Sequence, residues 1–568
     1  LYLEEEVMGM GHSVRHVLAA LAFAGVLAFF CVLLVQAQVI QGEGYYETSL
    51  RSKAKVERVP AARGKILDRN GKVLVRDEVR WTAVVAEGAP EESRARLAQL
   101  CREEGVRWDG EGAVTGVTAR LLARGKEEGL EGVTFSPAVE RVGSGALAPH
   151  VLGRVGAMSP EQWEELKRKG YAMEETVGKD GAEAAFEEVL HGTPGRRYVE
   201  TAGSGWDTEP VAGKNVTLTL DKDLQEAAQD ALQAFLDGHP NASGGAVVAL
   251  DVEDGGVLAM ASLPGYDPET FSKQYGALAQ DERHPLMNRA IQGLYAPGSA
   301  FKLVTATAAL EEGVLTPETK ILDTGRYTYY KSPQPQCWLY RQAGKTHGLE
   351  TVTDAIADSC NIFFFDAGRR VGIETLGTYA KALGLGEKTG IELAGEQAGV
   401  VAGPAYTASV GGTWYEGSVL SAAIGQENHR FTPVQLAHMT ATLVSGGERR
   451  QVHLLKQVAG EEAQEEVSLG KIALSEKNLT AIKEGMRRVV RSGSLAEAFR
   501  DLPVTAGAKT GSAQVAGEEE ANAVLVCFAP YDAPKIALAL VAEQGGSGAA
   551  LGDAAASILN AWAAGNLS

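Results

Sequence analysis

Ser299 and Lys302 are three residues apart, directly after a Pro-Gly pair and at the start of a long apolar run. This pattern predicts a helix over residues 300–310, since proline and glycine punctuate the backbone just before it. Residues three apart share one face of a helix, so the hydroxyl and the amine can meet. Apolar surroundings favour a neutral lysine, and the helix N-terminus favours an anion beside Ser299. The pair therefore suits an activated serine nucleophile, the alternative being a capping serine beside a surface lysine.

Two further motifs contain side chains that could serve the same chemistry, in chain order Ser359, Cys360, Asn361 and then Lys509, Thr510, Gly511, Ser512. Each motif alone has a structural explanation. Ser359 or Asn361 could cap one of the helices predicted over residues 352–358 and 362–370, and a strand glycine such as Gly511 often marks a bulge. Ser-x-x-Lys, Ser-x-Asn and Lys-Thr-Gly in this order are together typical of serine β-lactamases and penicillin-binding proteins.

The elements that must position these motifs indicate an α+β fold. Residues 244–264 predict a β-hairpin, helical segments dominate residues 299–447, and a final helix is predicted over residues 549–564. Three neighbouring antiparallel strands are predicted over residues 503–515, 523–530 and 535–543. Strands at both ends of a segment with helices between them indicate one antiparallel sheet that is assembled from distant pieces and covered by helices.

From residue 63 onward the chain resembles the class B penicillin-binding proteins, which are monofunctional peptidoglycan D,D-transpeptidases. The resemblance extends beyond the three motifs to "RGKILDRNG" at residues 63–71, "LTLDKDLQ" at 218–225, and the segments 288–302 and 423–437. It implies a penicillin-binding/serine β-lactamase-like transpeptidase domain, an N-terminal pedestal domain and one transmembrane helix. The absence of an added domain after the Lys-Thr-Gly motif favours the elongation subtype over the division subtype.

The resemblance implies acyl transfer from a stem peptide that ends in D-Ala-D-Ala. Ser299 would attack the carbonyl between the two D-alanines, and Lys302 would accept its proton. Ser359 would relay that proton toward the departing D-alanine, with Lys509 close to it. Asn361 would hold the substrate backbone and orient the lysine. A second step would use an amine of a neighbouring peptide, which makes a crosslink.

The same resemblance assigns substrate-binding roles to the last motif. Thr510 and Lys509 would bind the terminal carboxylate of the substrate. The backbone N–H groups of Ser299 and Ser512 would hold the oxyanion, and Gly511 would let the strand approach the acyl group. Neither a cofactor nor a metal is predicted, and β-lactams are expected to acylate the same serine.

Three alternatives use the same motifs or the same family. A D,D-carboxypeptidase or a β-lactamase would transfer the acyl group to water. The glutamates available for such a role, Glu392 and Glu396, lie in a segment that resembles the transpeptidases, which favours a structural role for them. A penicillin sensor would acylate once and signal, but it should carry further membrane spans. In a structural role the pedestal would activate a membrane glycosyltransferase of the SEDS family, and such a partner is expected alongside catalysis.

Composition excludes other classes of function. The chain has 568 residues and a net charge of −19, which argues against nucleic acid as the main partner. Its five cysteines have no regular spacing and do not indicate a disulfide scaffold.

The N-terminal region predicts a membrane anchor. Residues 17–35 are apolar throughout and long enough to cross a bilayer, whereas a signal peptide, the main alternative, should be shorter. The predicted organisation is a cytoplasmic tail (residues 1–15), an anchor (16–38), the pedestal (39–213) and the transpeptidase domain (214–568). The substrate of the predicted reaction places the catalytic domain outside the bacterial cell membrane.

One loop region raises a metal hypothesis. Asp323, Cys337 and His347 are candidate ligands, and Cys360 is not far along the chain. The irregular spacing favours a packed loop over a metal site.

Overall fold

The computed structural model describes residues 2–36, 55–108, 110, 112–200, 203–332, 334–515, 517–518 and 520–566. The chain forms two compact units, Leu1–Ala62 with Gly192–Ala212, and Arg63–His191 with Gly213–Ser568. The predicted boundary between the anchor and the pedestal, at residues 38 and 39, lies outside the described residues.

The first unit contains one long helix and a small antiparallel sheet. The helix Tyr2–Val35 includes residues 2–15 of the predicted tail, which are therefore continuous in one helix with residues 16–35 of the predicted anchor. Its segment His16–Val35 is exposed, and it is long and apolar enough to cross a membrane, as the sequence predicts. The sheet has three strands, in the order Lys55–Val59, Gly195–Glu200, Gly203–Thr208.

The second unit begins with a mixed sheet that contains a turn at Asn70-Gly71. Gly71 has φ 82°, a conformation that favours glycine, and it joins the strand Ile66–Leu67 to the next strand. The strands lie in the order Leu455–Val458, Val216–Leu218, Ile66–Leu67, Val73–Val85, Ala113–Val117, and Val133–Val142 also pairs with Val73–Val85. Because Val216–Leu218 pairs in parallel with Ile66–Leu67, this sheet crosses the predicted boundary at residues 213 and 214.

Buried ion pairs connect Arg63, the first residue of "RGKILDRNG", to the acidic short helices near residue 183. Arg63 bonds Glu183 at 2.6 Å and Glu187 at 2.7 Å, and Arg141 bonds Glu183 at 2.7 Å and Asp77 at 2.9 Å. Paired charges can be buried where single charges cannot, so the network fixes the strands against these short helices. The remaining elements of this region are the helices Glu91–Glu103, Ala119–Glu127, Pro149–Leu152, Pro160–Leu166, Gly181–Ala185 and Glu187–Leu190, the 3-10 helix Lys167–Lys169, and the strands Val155–Ala157 and Thr176–Gly178.

A five-stranded antiparallel sheet forms the centre of the second unit, as the sequence predicts. Its strands lie in the order Val257–Leu263, Gly244–Asp251, Ile536–Glu543, Asn522–Ala529, Gly507–Ala513. Alternate residues of one strand enter different cores: Val248 packs in the larger core and Val247 in the smaller one. Side chains of a strand alternate between its faces, so both faces of this sheet are buried and four of its strands are mainly apolar. The edge strand Gly507–Ala513 differs, since it also carries Lys509, Thr510 and Ser512.

Helices cover both faces of this central sheet. The helices Lys222–Gly238 and Gly552–Asn566 supply the smaller core, and Lys302–Glu311 and Pro433–Val444 contribute to the larger one. The other helices of this part are Phe271–Gln280, Arg289–Gln292, Trp338–Ala343, Val352–Ala357, Asn361–Val371, Ile373–Ala382, Pro404–Ser409, Ser418–Ala423 and Glu476–Arg491. The 3-10 helices are Gly298–Phe301 and Gly548–Leu551, and the short strands are Ile321–Asp323, Gly348–Glu350, Glu448–Arg450 and Ser468–Lys471.

Candidate active site

The predicted nucleophile lies on a tight turn at the start of a buried helix. A 3-10 turn, Gly298–Phe301, carries Ser299, and the α-helix Lys302–Glu311 follows it. The predicted helix is therefore correct, but its first turn is narrower than an α-helical turn. Ser299 is half-buried and lines a cavity of about 690 Å³.

Lys302 is fully buried, with 0% of its surface exposed, and its amine meets the second motif. Nζ donates to the Ser359 carbonyl at 2.7 Å and to Asn361 Oδ1 at 2.6 Å, and it lies 3.2 Å from Ser359 Oγ. Burial disfavours the charged form and lowers the pKa of Lys302 to about 8. A lysine with such a pKa can accept a proton near neutral pH.

The second motif occupies the break between two helices, as predicted. Val352–Ala357 ends before Ser359, and Asn361–Val371 begins directly after Cys360. Ser359 has φ 54°, a left-handed conformation that is uncommon for residues other than glycine and that often occurs at functional sites. This conformation aims both its carbonyl and its hydroxyl at Lys302.

Lys509 approaches Ser359 from the edge strand Gly507–Ala513. Its Nζ donates to Ser359 Oγ at 3.1 Å and to the Thr510 carbonyl at 2.9 Å. Burial, and then the charge of Lys302, hold the pKa of Lys509 well below its usual value. The hydroxyl of Ser359 therefore lies between two amines, which suits a proton relay.

Glycines allow the edge strand and the nucleophile turn to touch backbone to backbone. A Cβ on Gly511 would lie 2.6 Å from the Pro297 carbonyl oxygen, and one on Gly298 would lie 2.9 Å from the Ser512 carbonyl oxygen. Gly511 thus makes room for the nucleophile turn itself, in addition to its predicted role beside the acyl group. Thr510, Gly511 and Ser512 line the same cavity as Ser299.

The structure brings all eight predicted site residues to this one place and adds others. Gly425 accepts a hydrogen bond from the Gly298 N–H at 3.0 Å, and Gln426 Nε2 donates to the Ser512 carbonyl at 3.4 Å. Both belong to the segment 423–437, whose resemblance to the family was the only sequence signal for them. The cavity wall also contains Trp338, Arg341, Gln342 and Asp358, which no pattern in the sequence assigned to the site.

The candidate deacylating glutamates bind backbone instead of facing the cavity. Glu392 accepts from the Leu454 N–H at 2.8 Å, and Glu396 accepts from the Thr389 N–H at 2.6 Å. Among the described residues that line the cavity, none is a glutamate. This arrangement favours the structural role expected for both.

The loop residues of the metal hypothesis converge although their spacing is irregular. His347 Nδ1 lies 2.7 Å from Asp323 Oδ2 and 3.5 Å from Cys337 Sγ. With Cys360, the four ligand atoms lie within 4.8 Å of one another, and the group is mostly buried. Cys360, the middle residue of the second motif, is therefore part of a candidate metal site.

These features suit an acyl-transferring serine enzyme, and the fold is also found in known proteins. "Penicillin binding protein transpeptidase domain" matches residues 245–563, and "Penicillin-binding Protein dimerisation domain" matches residues 58–218. The peptidoglycan D,D-transpeptidase MrdA of Salmonella typhimurium is 31% identical, over 93% of this chain and 92% of its own. The chain belongs to the family of penicillin-binding protein transpeptidases.

Solved structures agree with this assignment. A chain of a peptidoglycan synthase complex that coordinates polymerization and crosslinking is 33% identical, with a TM-score of 0.78, and covers 96% of this chain and 98% of its own. Penicillin-binding protein PBP2 of Helicobacter pylori, solved as a complex with MreC, is 25% identical, with a TM-score of 0.74, and covers 91% of this chain and 99% of its own. The resemblance found in the motifs is confirmed.

Proposed function

We propose that the chain is a peptidoglycan D,D-transpeptidase that crosslinks stem peptides in cell-wall synthesis through an acyl-enzyme on Ser299. The observation that carries this proposal is the buried Lys302 amine, bonded to Ser359 and Asn361 next to the nucleophile turn. Ser299 Oγ attacks the carbonyl between the two D-alanines and gives its proton to the neutral Lys302. Ser359 and Lys509 pass a proton to the leaving D-alanine.

Binding groups flank the reacting carbonyl. Thr510 and Lys509 hold the terminal carboxylate of the donor, and the N–H groups of Ser299 and Ser512 stabilise the oxyanion. The amine of a second stem peptide then attacks the ester, the amide crosslink forms, and the Ser299 hydroxyl is restored. The MrdA relative named above is a peptidoglycan D,D-transpeptidase, which favours this reaction over hydrolysis or sensing.

The proposal predicts slow deacylation after β-lactam binding. No residue of the described cavity wall is a glutamate that could activate water, so a penicilloyl-enzyme should persist for many minutes. Intact mass spectrometry after removal of free penicillin checks this, with the adduct mass followed over time. Rapid turnover of a chromogenic cephalosporin by the purified chain would instead indicate a β-lactamase.

The anchor and the domain organisation follow from the same chemistry. Residues 16–38 cross the bacterial cell membrane once, the tail (1–15) stays in the cytoplasm, and the pedestal (39–213) and transpeptidase domain (214–568) lie outside. Protease added to intact protoplasts should digest the outer domains and leave a small fragment that keeps an N-terminal tag. Protection of the outer domains until the membrane is broken would contradict this topology.

We also propose that the chain is a transpeptidase of the elongation subtype and that its partner is a glycosyltransferase of the SEDS family. The support is the relative solved within a peptidoglycan synthase complex, together with the MrdA relatives. Copurification of a SEDS protein with the detergent-solubilised chain tests this partner. If no SEDS protein copurifies with the chain even after the membranes are chemically crosslinked, the proposed partner is wrong, whereas the catalytic proposal is unaffected.

The cluster Asp323, Cys337, His347 and Cys360 favours a second role, the binding of zinc. Thiolates, imidazole and carboxylate are zinc ligands, and bonds of about 2.0–2.3 Å place tetrahedral donors roughly 3.3–3.8 Å apart. Here the four donor atoms lie within 4.8 Å of one another, so small side-chain shifts would bring them to that geometry. Cys360 lies between Ser359 and Asn361, so a bound ion would fix the loop that contacts Lys302.

Zinc binding is tested by metal analysis of the purified chain. We expect about one zinc per chain, and Cys337→Ala should reduce the zinc content at least about tenfold, since a lost ligand removes a coordination bond. Cys527→Ala is the control, because Cys527 is buried in the central sheet away from the cluster. Equal zinc content in the two variants, or none in the wild type, would contradict the proposal.

A further inference from the structure

One wall of the catalytic cavity has two charged side chains that the steps above do not use. Arg341 and Gln342, on the helix Trp338–Ala343, line the cavity that contains Ser299. Asp358 lines it as well, and Trp338 Nε1 donates to its carbonyl at 3.1 Å. The exposed Arg341 and Asp358 thus offer a cation and an anion to a ligand in the cavity.

Neither charge is satisfied by the protein. Within the described ranges of the chain, Arg341 has no carboxylate in ion-pair contact, and Asp358 has no cation in such contact. Arg488 shows the contrast, since it pairs with Asp354 at 2.5 Å on a nearby helix. A guanidinium without a partner has its two parallel donors free for a carboxylate.

The wall is held in a fixed position relative to the nucleophile. Cys337 caps the helix of Arg341, and its N–H donates to the Gly325 carbonyl at 2.9 Å. The Cys337 side chain also belongs to the four-donor cluster with Cys360, the residue next to Ser359. Arg341 is therefore connected to the catalytic loop through packed, buried groups, which suits a group that must orient a substrate.

The donor peptide does not require this second cation. Its single terminal carboxylate is assigned to Thr510 and Lys509 on the edge strand. The other substrate of the reaction is the acceptor, which must bring an amine to the Ser299 ester. Acceptor side chains are of two chemical kinds. In diaminopimelate the carbon that carries the reacting amine also carries a carboxylate, whereas in lysine that carbon carries no carboxylate.

We propose that Arg341 and Asp358 form the acceptor subsite and select an amine that shares its carbon with a carboxylate. Arg341 binds the carboxylate through two parallel hydrogen bonds, and Asp358 attracts the ammonium before it reacts. This inference rests on the proposed transpeptidase function and names the acceptor class for it.

The proton balance is complete within the site. The bound ammonium loses one proton to water and becomes a neutral amine. The amine nitrogen attacks the ester carbonyl, the bond from that carbonyl to Ser299 Oγ breaks, and the amide forms. The second proton of the amine passes through Lys302 to Ser299 Oγ, so the hydroxyl is restored and no other reactant is needed.

Two tripeptide acceptors, one with meso-diaminopimelate and one with lysine at its third position, test the proposal on the detergent-solubilised full chain. A pentapeptide donor acylates the enzyme, and mass spectrometry measures the ratio of crosslinked product to hydrolysed donor. The wild type should favour the diaminopimelate acceptor by about tenfold or more, because the lysine acceptor leaves Arg341 unpaired. Equal use of the two acceptors would overturn this inference and leave the transpeptidase function intact.

Two variants test whether Arg341 causes the preference for the diaminopimelate acceptor. Arg341→Gln should reduce crosslinking to the diaminopimelate acceptor about tenfold and leave the lysine acceptor unchanged, whereas Arg500→Gln, at an exposed surface pair, should change neither. An equal fall for both acceptors would contradict a role in reading the carboxylate. The wild-type comparison decides the proposal even where a variant fails to fold. Hydrolysis alone with both acceptors would refute the transpeptidase function, and with it the subsite.

Discussion

Ser299→Ala is expected to abolish covalent labelling of the chain by penicillin, a fall of more than about a thousandfold in acylation rate. The Ser299 side chain is the proposed nucleophile on the turn Gly298–Phe301, and an alanine there has no atom that can form the ester. Peptide mapping by mass spectrometry should find the wild-type adduct only on the peptide that contains Ser299. Thermal unfolding of the variant should be close to that of the wild type, since only one half-exposed hydroxyl is lost.

Ser494→Ala is the matched control, because Ser494 lines the same cavity but is not among the hydrogen-bond partners of either lysine amine in the described part of the chain. It should keep the adduct at Ser299. An adduct on any other serine, or one that survives in Ser299→Ala, would falsify the assignment of the nucleophile.

Lys302→Arg is expected to slow acylation at least about a hundredfold. Arginine keeps the positive charge but does not lose its proton in proteins, so it cannot take the proton of Ser299. Stopped-flow measurement with a chromogenic β-lactam gives the rate. Lys483→Arg, at a half-buried lysine on the helix Glu476–Arg491, is the control for the change of shape and should acylate normally. More than a tenth of the wild-type rate in Lys302→Arg would mean that another group is the base.

The same lysine predicts the pH dependence of the wild type. Burial lowers the pKa of Lys302 to about 8, and the neutral amine is the form that accepts a proton. The fraction of neutral amine rises as the pH rises through this value. The acylation rate should therefore increase nearly tenfold per pH unit below about 8 and level off above it.

The sequence predicted most of the catalytic site because its residues lie at the ends of regular elements. The helix start places Ser299 and Lys302 one turn apart, and the whole Lys-Thr-Gly motif lies within the single strand Gly507–Ala513. The pattern of elements also predicted that the hairpin and the three C-terminal strands form one antiparallel sheet, whereas the order of its five strands is known only from the structure.

The parts that sequence reasoning left open or missed depend on loops and on long-range pairing. Asp323, Cys337 and His347 converge because the loops around Gly325 and Gly348 fold back on themselves, and no spacing rule describes such turns. Val216–Leu218 joins the first sheet of its unit because it pairs with strands far away in the chain. Arg341 is on a six-residue helix whose position is set by its neighbours.

The products of one complete turnover test the transpeptidase function most directly. Purified chain is incubated with a donor pentapeptide and an excess of a stem-peptide acceptor, and the products are identified by mass spectrometry. A transpeptidase should release D-alanine, give a crosslinked dimer as the main product and form a transient acyl-enzyme on Ser299. All three should be lost in Ser299→Ala. Release of D-alanine with only the shortened monomer would contradict this function and identify the chain as a carboxypeptidase.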